Sequence, residues 1–179
     1  MTANTALLLI DVQKFFDDPS QGRRNNPEAE ENMAILLDRW RKTNRPVIHI
    51  QHISNPSLPH YPGRDFKEIV APHPGEPIII KNVNSAFIGT NLEQFLKESE
   101  IETLVIVGLT TDHCVSTTTR MAKNLGFTPL IVSDATATFD RISFDGKRYR
   151  AEEIHHLALV SLSEEFATVV DTKSILEES

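Results

Sequence analysis

The sequence predicts an α/β fold, a six-stranded and mainly parallel sheet with helices on both faces. Two observations predict it. Short runs of Val, Ile and Leu alternate along the chain with stretches whose apolar residues recur at helical spacing. Three of those runs, at 6–11, 78–81 and 104–107, end in Asp11, in Lys81 and, one turn later, in Cys114. Ligand sites of open parallel sheets lie just outside the carboxyl ends of the strands, so these three residues are expected at one edge of one sheet.

Each element has its own signal. Residues 6–11 form the first strand. Asn26-Pro27-Glu28 opens a helix with a cap, a proline at the first helical position and an acidic first turn. That helix runs to about residue 43, with Met33, Leu36, Leu37 and Trp40 as its apolar face. Residues 46–51 are the second strand. Residues 53–77 are rich in Pro and Gly, with one short turn near Asp65-Phe66-Lys67-Glu68. Long irregular connections in compact domains are usually functional, and this one is expected to cover the strand ends as a lid. Residues 78–81 are the third strand, and 91–98 a helix with Leu92, Phe95 and Leu96 inward. Strands follow at 104–107, 129–133 and 167–169, with a helix at 152–163 between the last two. No internal repeat interrupts this order.

Composition sets the class. The chain has 179 residues, 40% hydrophobic and 24% charged, enough for one domain, 1–179, with a sizeable core. A net charge of −7 argues against nucleic acid and anionic membranes as partners. The apolar runs are too short to span a bilayer, and Met1-Thr-Ala-Asn-Thr5 lacks the basic start of a signal peptide. One cysteine excludes an internal disulfide framework, and a reducing, cytoplasmic compartment fits.

That cysteine lies in Gly108-Leu-Thr-Thr-Asp-His-Cys114-Val115. A strand precedes it. Behind it, Val115, Thr118, Ala122 and Leu125 recur at helical spacing, and Gly126 suits a C-terminal cap. Cys114 is therefore placed in the first turn of a helix, where the positive helix end favours thiolate over thiol. The unpaired N–H groups there suit an oxyanion. Taken alone, such a cysteine is more often a small buried hydrophobe.

The chain resembles the isochorismatase-like cysteine hydrolases over nearly its whole length. The resemblance rests on Ile10-Asp11-Val-Gln13, on Lys81 followed by Ser85-Ala86-Phe87, on the Cys114 segment with Thr118 and Arg120, and on Asp134-Ala-Thr136, all in the family's order. It implies a Rossmann-like, three-layer α/β/α sandwich. It also implies an amidohydrolase with Asp11, Lys81 and Cys114 as catalytic triad and a thioester intermediate. The same resemblance implies a cis peptide between Leu109 and Thr110, an oxyanion hole made by the backbone of Thr110 and Cys114, and a homodimer or homotetramer. Nicotinamidases of this superfamily hold a metal with an Asp and two His residues. The matching stretch here, His49-Ile-Gln-His52-Ile-Ser54, lacks their Asp-x-His pattern, so no metal and no other cofactor is expected. Isochorismatases proper lack the nucleophilic cysteine, so Cys114 points to acyl chemistry on a small amide.

Other residues are assigned by position. Gln13, Phe16, His52, Phe87 and His113 are expected to line the substrate pocket. His49 and His52, three apart on a strand, should face opposite ways. Asp112 is expected to cap the helix, and His155 and His156 to be structural or interfacial. Phe139 suits either core or pocket wall. Phe139, Ile142, Phe144 and Tyr149 lie in a segment of little periodicity, either folded back on its own domain or buried against a neighbouring copy. Hydrolysis of a non-amide substrate, a catalytically silent binding module and a peroxide-sensing cysteine remain the alternatives.

Overall fold

The computed structural model describes residues 4–55, 57 and 59–178. Six strands form one sheet: β1 (Thr5–Ile10), β2 (Val47–His52), β3 (Ile78–Lys81), β4 (Thr103–Leu109), β5 (Thr128–Ala137) and, last in the sheet, Thr168–Val170. Between β5 and that last strand lies a two-stranded hairpin, β6 (Arg141–Ile142) and β7 (Arg148–Tyr149), so the last strand is β8. The order is β3-β2-β1-β4-β5-β8, and every pair is parallel.

β1 is buried throughout. Its Ala6, Leu8 and Ile10 enter one core, and its Leu7 and Leu9 the other. Only a strand covered on both faces can carry so unbroken an apolar run. The first core is closed by α2 (Leu92–Glu98), α3 (Ser116–Asn124) and α4 (Ala151–Leu162), through residues such as Leu92, Leu96, Ala122, Leu159 and Leu162. The second is closed by α1 (Ala29–Lys42), through Met33, Leu36, Leu37 and Trp40, and by Ile175 of α5 (Thr172–Glu177). The result is a three-layer α/β/α sandwich. The indole of Trp40 donates to the Thr5 carbonyl at 3.1 Å, which fixes α1 on the start of β1.

Four elements depart from the sequence expectation. α1 starts at Ala29 and Asn26 does not cap it; Asn26 has φ +41°, and its amide donates to the Ser133 and Thr136 carbonyls. β5 runs four residues beyond Ser133, through the polar stretch Asp134–Thr136. Those side chains are satisfied by distant elements: Ser133 Oγ donates to the Val170 carbonyl, and Asp134 accepts from both the N–H and the hydroxyl of Thr172. The segment after Asp140 is not a plain loop but the β6–β7 hairpin. The six-residue α5 is nucleated by Asp171, whose carboxylate accepts from Ser174 N.

The strand order reverses between β1 and β4, its central pair. From β1 the strands progress to β2 and β3 on one side, and from β4 to β5 and β8 on the other. A crevice opens at such a reversal. At its floor Gly108 pairs with Ile10. Gly108 has φ +124°, and a Cβ there would meet the Ile10 carbonyl oxygen at 2.1 Å. No other residue fits. The Leu109–Thr110 peptide that follows is cis.

Candidate active site

Asp11 is the first residue past β1. It adopts φ +51°, a left-handed conformation that Asp tolerates better than most residues. Its N–H still bonds the Ile50 carbonyl at 3.1 Å. The carboxylate is thereby turned into the crevice at 1% exposure. Lys81 ends β3, two strands away, and is likewise buried. Its ammonium crosses the end of β2 and donates three hydrogen bonds: to Asp11 Oδ2 at 2.7 Å, to His52 Nδ1 at 2.8 Å and to Cys114 Sγ at 3.4 Å. The structure thus brings Asp11, Lys81 and Cys114 into mutual contact.

The bond to His52 fixes a tautomer. An ammonium only donates, so His52 Nδ1 accepts, and the neutral ring carries its hydrogen on Nε2. Nε2 lies 3.0 Å from Ser54 Oγ, which accepts it. Burial, seconded by the Lys81 charge, lowers the pKa of His52 and keeps it neutral. Gln13 holds the end of β2: its Oε1 accepts from His52 N at 2.8 Å, and its Nε2 donates to the carbonyls of Arg64 and His52. His49 faces the opposite core layer and pairs with Glu76 at 2.9 Å.

Cys114 sits in a single π-helical turn, Thr111–Val115, ahead of α3. The sequence placed it in the first turn of a helix and expected a thiolate there. The resting state is instead a thiol. Burial pushes the Cys114 thiol up to about 11; the Asp11 charge adds to this, and Lys81 only partly opposes it. The weak positive end of the helix is outweighed by a desolvated sulfur beside a carboxylate. Asp11 is itself raised by burial against the pull of Lys81. Its Oδ1 is buried and engages no partner in full hydrogen-bond geometry among the described residues.

Asp11, His52 and Cys114 offer donor atoms within 4.8 Å of one another, close enough to share a metal ion. Lys81 Nζ bonds all three, so an ammonium already stands where a cation would sit. The donor set does not fit a metal while Lys81 is charged.

A cleft of about 380 Å³ opens above this centre. Gln13, Phe16, His52, Thr110, His113 and Cys114 line it, and so does Phe139, which is both buried and stacked on Phe16 at 5.9 Å. The 53–77 segment supplies one wall through Ile53, Ser54, Asn55, Tyr61 and Arg64. Phe87 does not belong to the cleft. It lies in the core behind Ser85 and stacks on Phe127 at 5.9 Å, because the turn after Lys81 folds inward there. Asp112 is not a helix cap either. It accepts from Thr138 Oγ1 and from Arg141, whose greater charge outcompetes backbone N–H groups. His155 is structural, with Nδ1 2.8 Å from Thr111 Oγ1.

Sequence reasoning missed Asn84, whose amide donates to Cys114 Sγ at 3.6 Å, and the arginines Arg64 and Arg141. Asn84 follows Lys81 by three residues, in a turn that could have been searched for a polar partner. The arginines lie in segments without periodicity, and nothing local marks them.

Comparison with known proteins agrees with this fold. A family model described as the isochorismatase domain matches residues 5–174. An uncharacterized isochorismatase family protein of Bacillus subtilis, YrdC, is 50% identical over 99% of this chain and 97% of its own. The crystal structure of a putative hydrolase of the isochorismatase family from Chromobacterium violaceum superposes with a TM-score of 0.95 at 43% identity, covering 98% of this chain and 93% of that one. Nicotinamidase 3 of Arabidopsis thaliana is 28% identical over 93% of this chain and 84% of its own.

Proposed function

Because the chain belongs to the isochorismatase family of hydrolases, we propose that it hydrolyses a small amide, or a related C–N bond, through a thioester on Cys114. One observation carries the proposal: a buried lysine bonded at once to a carboxylate and to the only thiol, under a cleft of substrate size. Likeness to a nicotinamidase supports amide over other substrates.

The chemistry follows from the ionisation of the site. With the thiol near 11, attack and deprotonation are concerted. Sulfur bonds the carbonyl carbon as the thiol proton passes to Asp11. Burial raises Asp11, which makes it the stronger base. Backbone N–H groups of Thr110 and Cys114 receive the oxyanion. The C–N bond breaks as Asp11 returns the proton to the departing nitrogen. Water then adds to the thioester while Asp11 takes its proton, and the sulfur leaves as a thiol. One water is consumed, and acid and amine are released. Throughout, Lys81 stays bonded to Asp11 and to the sulfur, and it offsets the charge of Asp11 whenever that carboxylate is ionised. His52, Gln13 and Asn84 are positioning residues.

A screen for ammonia release over small amides tests this reading, with Cys114→Ala as control. Release by the native chain and none by the variant is the expected result. Absence of release from every amide would overturn it in favour of a silent binding module. We also propose a homo-oligomer. The hairpin leaves Ile142 and Phe144 exposed, and such apolar residues suit burial against a second copy. Light scattering should give a multiple of 20.1 kDa at micromolar concentration. No helix among the described residues is long and apolar enough to cross a membrane.

A further inference from the structure

We propose that Ser54 selects the substrate: its hydroxyl donates to an uncharged oxygen acceptor carried a few bonds from the scissile carbonyl. The inference rests on the hydrolase reading above and names the substrate class of the same cleft.

The ammonium of Lys81 has three hydrogens, and all are spent, on Asp11, His52 and Cys114. None is left for a ligand. The imidazole instead relays its charge to the cleft wall. Nδ1 of His52 accepts from Lys81 at 2.8 Å, so Nε2 carries the ring hydrogen and gives it to Ser54 Oγ at 3.0 Å. Burial, with the Lys81 charge, keeps the ring neutral and so preserves this direction. Ser54 Oγ makes no other hydrogen bond among the described residues. Its own hydrogen is therefore unspent, in a residue that lines the cleft. A hydroxyl that accepts one hydrogen bond donates the next more strongly, so the chain of bonds ends on a polarised donor.

The backbone holds this relay in place. Gln13 bonds both backbone groups of His52: Oε1 accepts its N–H at 2.8 Å, and Nε2 donates to its carbonyl at 3.2 Å. The N–H of Ile53 donates to the Lys81 carbonyl at 2.8 Å. Ser54 thus follows two clamped residues, and the imidazole orients its side chain.

Distance sets where the acceptor lies. One ring nitrogen of His52 is within 4.8 Å of Cys114 Sγ, and Ser54 Oγ stands one hydrogen bond from that ring. A substrate with its carbonyl carbon on the sulfur reaches Ser54 with an atom a few bonds away. The only carboxylate that lines the cleft is Asp11, which is paired with Lys81, so none competes for the hydroxyl. A neutral donor suits a neutral acceptor, such as an ether or ketone oxygen.

The test measures binding without turnover. Cys114→Ala protein is titrated by NMR with three isosteric pairs in which an ether oxygen replaces one methylene: methoxyacetamide and butanamide, β-methoxypropanamide and pentanamide, γ-methoxybutanamide and hexanamide. Without a donor the hydrocarbon of each pair binds more tightly, because a buried methylene gains and a buried ether loses its water. At least one ether should instead bind about 3- to 10-fold more tightly than its partner, as one neutral hydrogen bond supplies. Adding Ser54→Ala should reverse that order, and Ser54→Thr should keep it. His52→Asn leaves an acceptor for Lys81 where Nδ1 stood but cuts the relay, so the preference should fall. Nitrogen shifts of the imidazole should place the ring hydrogen on Nε2. Circular dichroism checks folding, and the two substitutions at exposed Ser54 decide if His52→Asn is not folded. If Ser54 only steadies the ring, no ether is preferred, or the preference outlasts Ser54→Ala. Either result overturns the proposal, as does a ring hydrogen on Nδ1 or a preference unchanged in folded His52→Asn. Ammonia release from the preferred ether by the native chain is read separately. Binding without release would overturn the hydrolase reading and leave the Ser54 site standing.

Discussion

Lys81 and Lys67 are both buried, yet they do opposite things. The ammonium of Lys67 lies between two carboxylates, Asp17 at 2.6 Å and Glu30 at 2.7 Å, and Glu30 is also clasped by both terminal nitrogens of Arg24. Every charge there has an opposite, and the cluster fastens the 53–77 segment to α1. The ammonium of Lys81 has one carboxylate, and its other acceptors are a neutral imidazole and a thiol. Those are weak acceptors for a buried cation. The arrangement therefore tolerates passage of the thiol proton to Asp11, because one ammonium bonds both the carboxylate that gives up negative charge and the sulfur that gains electron density. Burial of a lysine is not in itself a mark of chemistry. The acceptor set decides whether it is a strut or a participant.

The sharpest way to break this contrast is to remove the sulfur. Cys114→Ala should lower ammonia release by about a thousandfold or more while circular dichroism stays native. Next come the lysines. Asp11→Asn and Lys81→Ala should each lose about a hundredfold or more in kcat/KM, and the double variant should be scarcely worse than the poorer single, because the two act as one unit. Lys67→Met should keep kcat within about threefold and instead lower the unfolding free energy by about 1–3 kcal/mol in urea, since it leaves half-buried Glu30 short of a donor. Losses at Asp11 and Lys81 that multiply would sink the unit, and a Lys67→Met enzyme crippled in kcat would erase the distinction.

A smaller effect reads the resting thiol. A folded-state pKa raised from near 9 to about 11 means that the unfolded chain ionises first as pH rises. The contribution of Cys114 is therefore complete below pH 9 and is lost as pH climbs towards 11. Over that window the native chain should lose on the order of 2 kcal/mol more stability than Cys114→Ala. Alkylation by iodoacetamide should be slow at pH 7, and faster at every pH in Asp11→Asn, because the Asp11 charge is one cause of the raised value. Rapid labelling of the native chain at pH 6 would restore a preformed thiolate. The smallest expected effect is that of chelation. Exhaustive EDTA should leave turnover unchanged, and a loss restored by zinc would show that Lys81 gives way to a metal.

The sheet was legible because both of its faces are covered. Runs such as Leu7-Leu-Leu-Ile10 read as strands without any partner in view. Asp11, Lys81 and Cys114 were legible for the same reason, as polar residues abutting those runs. Legibility failed where polar side chains close on themselves. Asp134 and Ser133 hide the continuation of β5 because their partners lie in another element. Arg64 escaped notice because its place is set at long range, by Gln13 and Gln51 amides that both donate to its carbonyl. The state of the thiol was misjudged for a related reason: the helix end shows in the sequence, while the burial and the neighbouring carboxylate that outweigh it appear only in three dimensions.

Gly108 carries a consequence for how this site can change. The strands bearing the acid/base and the nucleophile approach so closely at Ile10 and Gly108 that bare backbone meets bare backbone. The gauge between Asp11 and Cys114 is thus set by the thickness of a peptide chain and not by any side chain. Drift in the two apolar cores can retune stability, and drift in the 53–77 segment and the hairpin can retune what enters the cleft. Neither reaches that gauge, so new substrates can be explored at the rim while the distance that the chemistry depends on stays fixed.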